Sequence, residues 1–135
     1  MRALLIPVDN DLFAIDMQSI REVVAAPLAT ELPTGPGTAI GVFNLRGDIV
    51  PLFDTAKLLG VGSVAGAPFA IVVMSSMGPA GLAATAAPES ATLGDRLATS
   101  DTPGATASYA VGTRIATLLD IEALLAPARI GGWAS

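Results

Sequence analysis

The chain has 135 residues, 52% of them hydrophobic and 14% charged, and carries a formal net charge of −5. Such a composition excludes a disordered chain, and the length suits one ordinary domain or two small halves sharing a core. The absence of cysteine and histidine excludes disulfides, thiolate metal sites, Cys nucleophiles and any His general base or phospho-acceptor, and the basic residues scattered from Arg2 to Arg129 form no cluster for nucleic acid or anionic lipid.

Short apolar runs broken every eight to twelve residues by turn residues predict an all-β fold. "ALLIPV" (3–8) reads as a strand, Asp9-Asn10-Asp11 as its turn and "LFAID" (12–16) as the return. "MQSI" predicts one helical turn before the strand "REVVA" (21–25). Pro27 to Gly37 holds three prolines and two glycines and reads as a loop. "AIGVFNL" (39–45) and "DIVPLF" (48–53) predict a hairpin around Arg46-Gly47, with Asn44 at its shoulder and Gly47 free to take φ > 0. Asp54 then stands as a helix N-cap, "TAKLL" as a turn or two of helix, and Gly60 as its stop.

"GVGSVAG" (60–66) lacks the spacing and the Lys of a phosphate loop and reads as a flexible connector. "PFAIVVM" and "AGLAATA" predict a second hairpin around Ser75 to Gly78. Pro88 to Gly104 reads as a long loop with room for a short helix at "GDRLA". The opening run "MRALLIPVDND" is too short for a signal segment, and "FAIVVM" is too short for a membrane span. A soluble, cytoplasmic protein without direct membrane insertion is expected.

"SYAVGTRIATLLDIEALL" (108–125) repeats "VFNLRGDIVPLFDTAKLL" (42–59) at an offset of 66. Ile49 meets Ile115, Leu52 meets Leu118, Asp54 meets Asp120, and Leu58-Leu59 meet Leu124-Leu125. One pair of repeats is too few for a solenoid. It suits two similar half-barrels, 1–60 and 67–135, packed on a shared apolar interface and joined by 61–66. A hairpin-plus-helix grammar recurring by chance is the alternative.

Asp54 and Asp120 are the paired carboxylates a hydrolase would need, but each stands where a strand gives way to a short helix, as a cap does. Asp9 and Asp11 lack the Gly and Glu of a calcium loop. Arg46-Gly47-Asp48 spells a cell-adhesion tripeptide, yet nothing marks export. Arg46 offers a planar, permanently charged fork, for a partner's carboxylate or for a neighbour such as Glu22 or Asp48.

"GVFNLRGDIVPLFD" resembles the signature of CheW-type chemotaxis adaptors, and "LFAIDMQSIREVV" is similar to an earlier segment of that family at the same spacing. The resemblance is strong from about Leu4 to Gly60 and continues in pattern to Leu125. It implies two five-stranded SH3-like barrels sharing a hydrophobic seam, without catalysis or cofactor. It implies two partners: the helical tip of a methyl-accepting chemoreceptor, and the regulatory domain of a CheA-type histidine kinase, held mainly by the second barrel. It carries a receptor-facing role onto Ile20, Glu22, Arg46, Gly81 and Ala87. In a strand starting near Ile20, Ile20 and Glu22 would share one face; core packing for the first and a solvated charge for the second are the plainer readings. "LAATAAP" departs from the family's pattern after the second hairpin and points to a divergent second half. Two other functions stay open: a self-associating or receptor-only ring component, and a small-ligand-binding or hydrolytic barrel using Asp54, Asp120 or Arg46.

Overall fold

The computed structural model describes residues 1–33, 35 and 37–126. Thr34 and Pro36 of the expected loop, and 127–135 of the expected second half with Arg129, lie outside the described residues. The elements are strands β1 (Arg2–Val8), β2 (Asp11–Asp16), β3 (Ile20–Ala25), β4 (Ala39–Leu45), β5 (Asp48–Phe53), β6 (Phe69–Ser75), β7 (Gly78–Ala84), β8 (Glu89–Thr92), β9 (Arg96–Thr99), β10 (Ala105–Val111) and β11 (Arg114–Leu119), with helices α1 (Thr55–Leu59) and α2 (Ile121–Leu124). A single 3-10 turn, Met17–Ser19, lies between β2 and β3, where "MQSI" predicts one.

Local chemistry accounts for the hairpins. Arg46 and Gly47 both have positive φ, +49° and +94°, as a two-residue type I′ turn requires, and Asn44 Oδ1 accepts from the Gly47 N–H at 2.9 Å. Pro51 is tolerated within β5 because Val42 opposite it spends both backbone groups on Thr30. The Pro51 nitrogen therefore faces β7, whose ladder begins only at Leu52. Gly41 has no room for a side chain: a Cβ there would lie 2.3 Å from the Thr30 carbonyl oxygen.

Two sheets result. One has the order β3-β6-β7-β5-β4, the other β8-β1-β2-β11-β10-β9. In the first, the chain leaving β3 returns at Thr30, which exchanges two hydrogen bonds with Val42 of β4 and closes a central barrel. In the second, Leu93 continues the pairing to Met1, while Gly94 and Asp95 turn to Ala110 of β10. β8 and β9 are thus one bent strand that closes a five-stranded terminal barrel.

Two expectations are corrected. Residues 88–104 are not a long loop with a helix, because β8 and β9 fall there. Their Ser, Ala and Thr residues lack apolar alternation, so only the backbone partners on β1 and β10 make them strands. Nor do the barrels follow the chain halves 1–60 and 67–135. The repeats are present, since β4, β5 and α1 recur 66 residues later as β10, β11 and α2, and β1 and β2 recur 67 later as β6 and β7. Each barrel, however, joins the first hairpin of one repeat to the last hairpin of the other, through the parallel pairs β5–β7 and β11–β2.

Packing explains the exchange. Phe43, Leu45, Val50, Leu52 and Val72 fill the central barrel, and the small set Ala3, Leu5, Ala14, Ala116 and Leu118 fills the terminal one. The largest cluster is the seam, where Ile6, Phe13 and Ile15 of the terminal barrel meet Phe53, Leu58, Ile71 and Leu82 of the central one, with Leu124 and Leu125 alongside. β6 and β7 are buried on both faces, one toward the central barrel's interior and one toward the seam, so both sets of their apolar side chains leave water.

Candidate functional site

Arg46 sits at the tip of the β4–β5 turn and Glu22 on β3. Arg46 Nη1 donates to Glu22 Oε2 at 3.2 Å, and its Nη2 donates to Oε1, a two-pronged pair. Beside it, Arg21 Nη2 lies 3.6 Å from Asp48 Oδ2. The two ion pairs tie β3 to the β4–β5 turn, two parts of the central barrel without a ladder between them. The Arg46 hydrogen bond holds the Glu22 carboxyl below its ordinary value, aided by the Arg46 and Arg21 charges, and Glu22 raises Arg46 in return. The Arg46 side chain remains 66% exposed, so a partner can reach its unused edge.

Next along β5 comes an apolar groove of about 140 Å³, with Ile49, Pro51 and Phe53 on one wall, Met77 and Pro79 of the β6–β7 hairpin on the other, and Leu125 at its end. Ile49 is 64% exposed although apolar. The Met77 wall is fixed from the far end of the same repeat: Glu122 of α2 accepts from the Ser76 N–H at 2.8 Å and from its hydroxyl at 2.7 Å. An apolar trough on the strand that follows a turn carrying a forked cation is suited to an amphipathic helix.

The residues singled out from the sequence divide. Arg46 and Glu22 come together. Ile20 and Glu22 do not share a face, because the β3–β6 register shifts between them: Ile20 stands opposite Val73 and Glu22 opposite Val72. That bulge at Arg21 turns Ile20 toward the seam core while Glu22 turns to Arg46. Gly81 is buried, and a Cβ there would lie 3.0 Å from Phe43 Cε1 and 3.3 Å from Leu52 Cδ1. It is a packing glycine inside the barrel rather than a contact surface. Ala87 is exposed on the bend after β7, a segment that Thr85 fastens to the β1–β2 turn through Pro7 and Asp9.

The paired acids serve as caps. Asp54 accepts from Lys57 N at 3.1 Å and from Val64 N at 3.0 Å, so it stops α1 from fraying and also pins the connector. Asp120 accepts from Ala123 N at 3.1 Å. Among the described residues no group of three or more Asp or Glu could hold a metal ion, and no helix is long and apolar enough to cross a membrane. Arg21, Gly41 and the Glu122–Ser76 clamp carry no local signal in the sequence, since each matters only through a residue far away in the chain.

The family model described as CheW-like domain matches residues 2–129. The chain belongs to the CheW-like domain family. Among curated proteins it is similar to "Probable chemotaxis protein CheW" of Rhizobium etli, 39% identical over 49 residues, or 36% of this chain and 32% of that protein. It is also similar to "Chemotaxis protein CheV3" of Helicobacter pylori, 38% identical over 50 residues, or 37% of this chain and 16% of that protein. The matched stretch thus spans a third or less of those relatives. The crystal structure of scaffolding protein TtCheW from Thermoanaerobacter tengcongensis superposes with a TM-score of 0.77 at 21% identity, covering 97% of this chain and 94% of that one. This likeness is one of fold, and it matches the all-β, two-barrel architecture of the described residues.

Proposed function

We propose that the protein is a non-catalytic adaptor of a chemosensory array, coupling the cytoplasmic tip of a methyl-accepting chemoreceptor to the regulatory domain of a CheA-type histidine kinase. The observation that carries this reading is the Arg46–Glu22 pair at the β4–β5 turn, from which β5 runs on into the Ile49–Met77 groove. An amphipathic receptor helix lays its apolar ridge in the groove and presents a carboxylate to Arg46, which fixes its register. The kinase domain takes the terminal barrel. Membership of the CheW-like family and the chemotaxis names of the relatives support the assignment.

Two docking faces on one rigid seam make the mechanism one of effective concentration: weak single contacts become stable once linked in an array. The adaptor works in the cytoplasm and is recruited to membrane-bound receptors. Calorimetric titration with the regulatory domain of a CheA-type kinase and with a soluble receptor-tip fragment tests both faces. Saturable binding of each is expected. A folded protein that binds neither contradicts the proposal.

A further inference from the structure

Leu125 forms one end of the central groove and stands one residue before Ala126, the last described residue. The segment that follows, "PARIGGWAS" (127–135), therefore starts from the groove itself. Pro127 has no N–H with which to continue α2. Beyond it come one charge, Arg129, and two large apolar side chains, Ile130 and Trp133, around a Gly131-Gly132 pair that permits a tight turn.

The groove offers a matching surface. Among the described residues its lining holds no charged side chain, and Ile49 and Met77 leave apolar surface in water on its two walls. Asp48, next to Ile49, has its side chain 59% exposed and lies 3.6 Å from its partner Arg21. The distances agree as well. The β5 wall from Ile49 to Phe53 is about 13 Å long at the usual strand rise. Five residues of extended chain from Leu125 to Ile130 reach about 17 Å.

We infer that residues 127–135 fold back over the central groove, with Ile130 on Ile49, Arg129 toward Asp48, and Trp133 returning over Met77 after the Gly-Gly turn. So short a tether holds the segment at an effective concentration in the millimolar range, so a modest contact suffices. The protein thus carries its own competitor for the helix that the groove receives, and the helix binds only the open fraction of chains. The competition rests on the proposed function; the closure itself does not.

Trp133 is the chain's one tryptophan, so its fluorescence, excited at a wavelength that spares Tyr109, reports on the segment alone. The full-length wild type is compared with Ile49→Asp/Met77→Asp in the groove and with Ile115→Asp on the terminal barrel, each checked for fold by circular dichroism. A segment closed at least half the time makes acrylamide quenching at least about twofold weaker in the wild type and in Ile115→Asp than in the groove variant. By the same fraction, a soluble helical-hairpin fragment of a methyl-accepting chemoreceptor should bind Ile130→Ser/Trp133→Ser at least about twofold tighter than wild type. Quenching as strong in the wild type as in urea, or shielding that the groove variant leaves intact, overturns the inference. Groove-dependent shielding in a protein that binds no fragment, with or without the two serines, keeps the closure and overturns the proposed function. Fragment affinity that is the same with and without the serines overturns the competition.

Discussion

Glu122 of α2 and Ser76 of the β6–β7 turn are joined by two hydrogen bonds that link the end of the second repeat to its start, and so the helix after the terminal barrel's last strand to the central barrel. The clamp fixes the turn that carries Met77, one wall of the central groove. Glu122→Ala removes both bonds at an exposed site, with an expected cost of about 1–2 kcal/mol. Amide hydrogen exchange should quicken at 75–78 and stay unchanged in β1. Uniform exchange across the chain would mean that the clamp does not hold the turn.

Arg46→Glu places two carboxylates where a forked pair stood. Stability should fall only slightly because the pair is open to solvent. Receptor-tip affinity should fall at least about tenfold, roughly 1.4 kcal/mol. Glu22→Arg in the same chain should recover the stability but not the affinity, since the cation has moved off the turn. Equal recovery of both would reduce Arg46 to a structural residue.

The two caps are unequal. Asp120→Ala should cost about 1 kcal/mol, an ordinary cap loss. Asp54 is only 3% exposed and serves two N–H groups, so Asp54→Ala leaves the connector donor unsatisfied as well and should cost about 2–3 kcal/mol. Urea titrations of the two variants decide the ranking.

Glycines 41 and 81 make a second ranked pair. Gly81→Ala presses on the ends of Phe43 and Leu52, flexible groups that can give, at about 1–2 kcal/mol. Gly41→Ala meets the Thr30 backbone oxygen at 2.3 Å, and the barrel closure must open, at about 3 kcal/mol. Ala87→Ser, on the exposed bend, should stay within about 0.5 kcal/mol. Thermal unfolding of the three variants checks the order.

Acid should weaken the Glu22–Arg46 contact in a defined direction. The folded carboxyl sits below its ordinary value of 4.5 because the Arg46 hydrogen bond and charges favour its ionised form. Its contribution is therefore complete above the unfolded value and is lost as pH falls through the folded one. Wild type should exceed Glu22→Gln by a constant margin from neutral pH down to about 5, and the margin should shrink at lower pH. A margin that grows on acidification would contradict the pairing.

The sequence alone determined the elements whose causes are local. The β4–β5 hairpin is fixed by a turn that needs φ > 0 at two adjacent residues, α1 and α2 by their capping aspartates, and the 66-residue repeat by matching side chains. Short-range chemistry also made the CheW-like signature readable, because Asn44, Arg46 and Gly47 act within one turn. The tertiary structure decided which hairpin pairs with which. Burying β6 and β7 on both faces requires partners from the opposite repeat, and no residue of either hairpin announces that partner. The bulge at Arg21, which parts Ile20 from Glu22, and the buried place of Gly81 are of the same kind. Each is set by a strand or ring that only folding brings near.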